Sequence, residues 1–483
     1  MPLFPFGFAP PHQGRAATAL AVSLAALLGS GIAHADPTLP GSENAMTLRA
    51  AIRVALDRNA ALASRRKSVD IAESDERAAA ARLGPVLRAE VNAFVWNSDN
   101  RYAFDTSGFQ GLFAQLGAPP GVTVPPMTVT VREQVTAKTT IMAIQPLTQL
   151  WQIVRGREAR RELVRASRFD AVAAERDLEL QVARAFFGHV SAQQMLGTVE
   201  EASKTIKAYE KQTSDYVAAG LVEHDALLTV QVQREELAKT RLAVEKAIAL
   251  TRAQLNMLMG RSLDADLELA CTTCGRGNAT TPPLEELQSR ALLERPELAS
   301  GRAQRNAAEA AAEAARGKLA PDVNLVGAYV NNAGMGDLML KNEAFAGLML
   351  SWNAWEWGAT THEVRAAELR REQADLALRS AEDGLRLHVH QRSLELREAQ
   401  RQRVVAEAAL ALAREALRLE ENRFRVHATE AADLVRAQTT AVKAAHDVTL
   451  ATMQIELARR ELAIASGQDL LASLDADPQE PAR

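Results

Sequence analysis

Apolar positions recur in two different rhythms along this chain. Across residues 48–82 and again across 284–318 they fall at helical spacing, and each run stops just before a proline, at Gly84-Pro85 and Ala320-Pro321. Proline lacks the amide proton a helix needs and pushes the residue before it toward extended backbone. Beyond these stops the rhythm changes. Ala346, Leu348, Leu350 and Trp352 alternate with Gly347, Met349, Ser351 and Asn353, so one face is wholly apolar. That is the period of a half-buried strand. The pattern predicts two hairpins, one pairing residues 86–96 with 129–145 and one pairing 322–330 with 344–353 across Asn331-Asn332-Ala333-Gly334.

The remaining stretches are long and free of proline, from Leu147 to Thr281 and from Asp322 to Asp477. Helical spacing predicts helices over 153–218 and 223–259, and over 361–425 and 430–466, with Gly260 and Gly467 suited to the position after a helix end. Thr360-x-x-Glu363 reads as a capping box. At 1.5 Å per residue the first helix of each pair is a rod of about 100 Å and the second about 55 Å. Apolar residues repeat every seventh position, as in Leu410, Leu417, Phe424 and in Leu412, Leu419, Val426. Sustained heptads wind helices into left-handed coiled coils. Two adjacent frames on one helix predict neighbours on both sides, a wall of helices; one antiparallel coiled-coil hairpin is the simpler alternative.

The order of parts occurs twice. Leu48, Ala55, Leu62, Leu83 and Pro85 have identical partners 236 positions later, while Glu175, Leu178, Val182, Leu227 and Gly260 have theirs 207 positions later. The first half therefore carries 29 extra residues between Trp96 and Ala137. Added length at one place marks a loop tip, where it is tolerated. The expected organisation is a signal peptide over 1–35, an N-terminal extension over 36–46, a first repeat over 47–260, a linker over 261–283, a second repeat over 284–467 and a tail over 468–483. Within the repeats the hairpins occupy 86–145 and 322–353, and the long helical hairpins 153–259 and 361–466.

Composition narrows the function. Aromatic residues are 4% and charged residues 24% of 483, and the formal net charge is −4. Such a chain is helix-rich and has no basic excess for nucleic acid. Arg15, the apolar run over 16–32 and Ala33-His34-Ala35 form a secretory signal cut after Ala35. A membrane anchor is the alternative, but the run is short and ends at a cleavage pattern. No later stretch approaches the roughly 20 apolar residues of a spanning helix. The exported chain would cross a membrane only with strands. Cys271 and Cys274 lie between the repeats; an oxidising compartment permits a local disulfide, with free thiols as the alternative. Further ligands for a metal are lacking near them. His388, His390, His362 and His427 form no i, i+4 ligand pair. No nucleophile elbow, phosphate loop or zinc motif is present, so neither an enzyme nor a cofactor is expected.

Four strands cannot close a membrane barrel, which needs at least about eight. Strands that cross a bilayer must therefore be shared among several chains, and three chains of four make twelve. A soluble periplasmic coiled-coil binding or adaptor protein is the alternative. At this point the residues resemble the TolC family of outer-membrane efflux proteins. The resemblance spans residues 47–468 and is carried by the duplicated plan and by three motifs. These are Leu284-x6-Ala291-Leu292-x5-Leu298-Ala299, Leu350-Ser351-Trp352-Asn353-x3-Trp357-Gly358, and Asn422-Arg423-Phe424-x8-Asp433-Leu434-Val435-x-Ala437-Gln438. It implies a mainly α fold with a small β part: a homotrimeric, twelve-stranded outer-membrane barrel continuing into a periplasmic coiled-coil barrel. It also implies export together with a periplasmic adaptor and an inner-membrane transporter of RND or ABC type, for small-molecule efflux or type I protein secretion.

The resemblance places Asp433 at the periplasmic aperture; an acid in the first turn of a helix is the plain alternative. The next acid of the family is Arg436 here. Gly220 and Leu221, with Val426 and His427, fall at the two helix turns, expected to be the tips that meet the adaptor. The family's glycine stands at Gly220 but is replaced by His427 in the second turn, where a positive φ is unusual for a side chain. Trp96 and Trp352, at strand ends, are expected at the lipid boundary, with burial in a core as the alternative.

Overall fold

Each half of the chain begins with a helix that breaks once. In the computed structural model, which describes residues 45–117, 119, 125–270 and 281–470, α1 spans Leu48–Arg58 and α2 Ala60–Ala81. The sequence pattern runs through this point as one helix. Asn59 divides it: its backbone is extended, and its side chain accepts the Leu62 amide at 3.0 Å as an N-cap. The second half breaks at the equivalent place, between α6 (Leu284–Glu294) and α7 (Pro296–Arg316). There Pro296 sits at the first helical position, where a missing N–H costs nothing. The expected signal peptide, Cys271 and Cys274 lie outside the described residues.

The strands follow. β1 (Val86–Val95) pairs antiparallel with β4 (Val135–Pro146), and β5 (Asp322–Ala333) with β6 (Asn342–Ser351). β4 also pairs with β5, so the two hairpins make one sheet in the order β1-β4-β5-β6. The extra length of the first half is more than a loop. It forms β2 (Asn100–Phe104), α3 (Ser107–Gln115) and β3 (Met127–Arg132), with β2 and β3 making a small separate sheet. The strand expected over 129–145 is thus two strands with different partners. Gly334 and Asp337 of the β5–β6 loop fasten this insertion: the Glu133 amide donates to the Gly334 carbonyl at 2.8 Å, and the Thr130 amide to Asp337 at 3.0 Å.

From the sheet the chain runs straight into its longest helices. α4 (Leu150–Ala218) turns back as α5 (His224–Leu258), and α8 (Ala359–Arg425) turns back as α9 (Ala431–Ala465). α4 has 69 residues and α8 has 67, so each is about 100 Å long. The expected capping box does not form. α8 starts after Gly358 in a left-handed conformation, Thr360 donates to Glu356 instead, and Glu363 pairs with Lys318 at 2.7 Å.

The core lies at the level of the short helices α1 and α6. One cluster packs Ile52 and Ala55 of α1 against Val182 and Phe186 of α4 and Leu255 and Met259 at the end of α5. Its counterpart packs Ala291 and Leu298 against Val389, Leu462 and Ala465. Glu461, largely buried, joins the two halves: it accepts Arg184 of α4 and Arg392 of α8, each at 2.7 Å. Glu179 is also buried here. Burial, with Asp469 nearby, pushes its carboxyl up to about 7, although it accepts the Leu470 amide.

Two glycines show how closely the duplicated parts approach. At Gly260 a Cβ would stand 2.7 Å from the Arg58 carbonyl at the end of α1, and at Gly467 it would stand 2.7 Å from Glu294 at the end of α6. Both have positive φ. Gly467→Ala is expected to destabilise the fold by about 1–3 kcal/mol, through strain plus overlap. Gly220→Ala, which meets open space, should cost less; equal losses in thermal unfolding would remove the close-approach argument.

A second expectation concerns pH. Between the ordinary carboxyl value of 4.5 and about 7, folded Glu179 holds a proton that the unfolded chain releases. That contribution favours folding on the acid side and is lost as pH rises through 7. Glu179→Gln should therefore raise the melting temperature at pH 8 and leave it nearly unchanged at pH 5; the same shift at both values would refute it.

Candidate functional site

The strand registers decide which side chains share a face. Leu87, Ala89, Val91, Ala93 and Val95 of β1 stand opposite Ala143, Ile141, Thr139, Ala137 and Val135 of β4. Ala143 and Ile141 stand opposite Gly327 and Tyr329 of β5. Gly327 and Leu325 stand opposite Ala346 and Leu348 of β6. Facing residues of a ladder project to the same side, so one face is predominantly apolar from edge to edge. It is also bare: Leu87, Val91, Val95 and Leu348 are each at least 67% exposed. The opposite face carries Arg88, Glu90, Asn92, Lys138 and Thr140, by the same registers. Val326, Ala328, Val330 and Asn332 on that side are buried, and Val86, Phe94, Phe345 and Met349 are exposed there, so this face mixes charged and apolar side chains. Among the described residues the outer edges of β1 and β6 have no strand partner.

Tryptophans mark the place where strands hand over to helices. Trp352 continues the apolar face of β6 and is exposed. Trp355 and Trp357 stack edge to face with centroids 5.7 Å apart, and Trp151 opens α4 with the Arg155 guanidinium 5.9 Å from its ring. Four of the five tryptophans thus sit at these two junctions. Trp96 departs from expectation. Its indole donates to Thr136 at 3.0 Å, its ring lies against Phe94, and Arg132 covers it at 3.9 Å. Thr136 and Phe94 are a facing pair of the other parity, so Trp96 lies on the polar side of the sheet, away from the apolar band.

The two helix turns lie together at the far end of the rods. Gly220 has φ 69°, and Leu221 donates to the Tyr216 carbonyl at 2.9 Å. His427 has φ 58°, and Ala428 donates to the Arg423 carbonyl at 2.8 Å. Both ends are Schellman closures, which need a left-handed residue. His427 takes that conformation without being glycine, and its ring packs on Tyr216 with centroids 4.5 Å apart. Tyr216 also lies 5.9 Å from Phe424, and Tyr209 donates to Glu421. These contacts bind the first turn to the second. Leu221 and Val426 project outward, 55% and 70% exposed. Asp433 is in the first turn of α9 and is half exposed. It pairs with Arg436 at 3.0 Å, one turn along the same helix, while Leu434 and Val435 beside it are buried against the α4–α5 hairpin.

Among the described residues no helix is long and apolar enough to cross a membrane. The comparisons agree with the geometry. Residues 287–468 match the family model described as outer membrane efflux protein. No curated protein matches the chain. Solved structures do. CusC shares 16% identity over 87% of this chain and 92% of its own, with a TM-score of 0.73. The CmeC outer membrane channel of Campylobacter jejuni shares 15% over 89% and 88%, at 0.72. The MtrE outer membrane channel of Neisseria gonorrhoeae, in its open state, shares 19% over 88% and 89%, at 0.69. At such identities the likeness establishes the fold. Residues 287–468 thus match the outer membrane efflux protein model, and the chain as a whole has the fold of these outer-membrane channels.

Three features escaped the sequence reading. Trp151 belongs with the junction tryptophans, a place its position just after β4 would have indicated. Glu461 and its two arginines had no local signal, because they come from three distant helices. The pairing of Tyr216 with His427 explains why the second turn does without glycine. A double-mutant cycle of Tyr216→Leu and His427→Gly should give a coupling of about 0.5–1.5 kcal/mol in urea unfolding. Strict additivity would mean the ring contact contributes nothing.

Proposed function

We propose that this chain is the outer-membrane channel of an export system, working as a homotrimer. Three four-stranded sheets join edge to edge into a twelve-stranded barrel, and the long helices continue it as a periplasmic tunnel. The observation that carries this reading is the sheet, with one face apolar and exposed, the other carrying the charged side chains, and neither outer edge paired to a strand among the described residues. Lipid does not tolerate unpaired strand edges, and four strands are too few to close alone. Twelve would close with the apolar band outward and Arg88, Glu90 and Lys138 lining a wet interior. A soluble periplasmic coiled-coil binding or adaptor protein would leave that band in water, which favours the channel.

A tunnel has no energy source of its own. The channel therefore serves an inner-membrane transporter of RND or ABC type through a periplasmic adaptor, which meets Gly220, Leu221, Val426 and His427 at the tips. Exposed Leu221 and Val426 offer apolar contact there. Small-molecule efflux and type I protein secretion are both served by this architecture. At the aperture Asp433 holds Arg436, and opening is an iris-like movement of the paired helices beside them. The MtrE channel is described in an open state, which supports a fold that can open.

Purified in detergent, the protein should cross-link to three times its chain mass and form pores in planar bilayers. A monomer that stays in solution without detergent would sink the reading. Asp433→Ala is expected to raise single-channel conductance; an unchanged value would take this residue out of the gate.

A further inference from the structure

Beside the core, α2, α4, α7 and α8 stand in a row, α4 touching α2 and α7, and α7 touching α8. A groove of about 1080 Å³ runs along this row and is lined by all four helices. Residues of the first and last helix of a curved row can line one groove only on its concave side. The floor is small and apolar, made by Gly156 of α4 with Ala307, Ala311 and Ala315 of α7. The rim is basic. Of its five cations, Arg157 is paired with Glu76 at 2.6 Å and Lys318 with Glu363 at 2.7 Å. Among the described residues Glu363 is the one carboxylate that lines the groove. The other three, Arg82, Arg160 and Arg370, are exposed and pair with no carboxylate among the described residues.

We propose that this groove is a binding station for organic anions, with Arg82, Arg160 and Arg370 holding the charged groups and the alanine floor holding an apolar body. Three guanidiniums with no ion-pair partner among the described residues, set around a concavity, favour a positive potential there. The guanidinium fork matches carboxylate, sulfonate and phosphate oxygens. The basic zone is bounded: a neighbouring groove shares Arg160, Leu163 and Gln304 but is lined by Asp75 and Asp170. The sign of the surface therefore changes within one step along the helices, which localises the anion site. Its role as a station for cargo rests on the channel reading; its capacity to bind anions does not.

The test uses the full chain in uncharged detergent, with naphthalene-1,5-disulfonate as the probe and its fluorescence as the readout. Saturable binding is expected, weakened about tenfold in the Arg82→Gln, Arg160→Gln, Arg370→Gln triple variant and weakened again by added salt. Each single substitution should weaken it about two- to threefold, which keeps the test alive if the triple variant fails to fold. Asp75→Asn with Asp170→Asn should leave binding intact or tighten it. No binding by the unaltered chain, or binding indifferent to all three arginines, overturns the proposal. Arginine-dependent binding by a protein that makes no pore would remove the channel reading and keep the site; a pore without such binding would do the reverse.

Discussion

Everything in this molecule follows from a sheet that cannot finish itself. Among the described residues its backbone is paired from β1 through β4 and β5 to β6 and then stops on both sides. In water, open edges invite aggregation; in hydrocarbon they are forbidden outright. Its faces are as one-sided as its edges are open. Leu87, Val91, Val95 and Leu348 gain nothing from water, while the side that carries Arg88, Glu90 and Lys138 needs it. In the proposed barrel, lipid outside and water inside satisfies both faces at once, and further copies satisfy the edges.

The helices inherit their arrangement from that sheet. β4 runs into α4 and β6 into α8 after only a few residues, so two rods leave each sheet on the same side and stay beside one another. Being too polar for lipid, they must stand in water, and they are steadied where the short helices α1 and α6 wedge against them. The duplication makes this support nearly symmetric: Gly260 fits the end of α1 as Gly467 fits the end of α6. Glu461 then ties α4 of one repeat to α8 of the other. A buried carboxylate held by two arginines is costly to break from either side, so the two halves keep a fixed relation at this level.

Much of this was legible in the sequence because it is local or periodic. The apolar alternation around Leu348, the long proline-free rods, the glycines at Gly260 and Gly467, and the repeated plan are patterns a single chain displays. What escaped depends on tertiary choice. The break at Asn59 is made by one side chain accepting the Leu62 amide, and a helical rhythm runs through it unchanged. The capping box at Thr360 failed because Glu363 found Lys318 across space. Trp96 read as a lipid-boundary aromatic from its place at a strand end, yet the parity of β1 turns it to the polar side, where Thr136 takes its indole proton. Strand position alone does not say which face an aromatic occupies; register does.

The helix tips show the same logic in a form that bears on mechanism. A Schellman closure needs one left-handed residue, and the first repeat supplies it with Gly220 at little steric cost. The second repeat supplies it with His427, which carries a penalty of order 1–2 kcal/mol and returns part of it through the Tyr216 ring. The penalty and the contact fall on different elements: the strain sits in the α8–α9 turn, the compensation in α4. Separating the two turns would therefore leave the strain uncompensated, whereas moving them together would keep it offset. An iris that opens by shifting the paired hairpins as a unit keeps the Tyr216–His427 contact; one that pulls α9 away from α4 breaks it and exposes Leu434 as well. Within the proposed trimer, the packing thus favours movement between copies over movement within one, with Asp433 and Arg436 carried along on the first turn of α9.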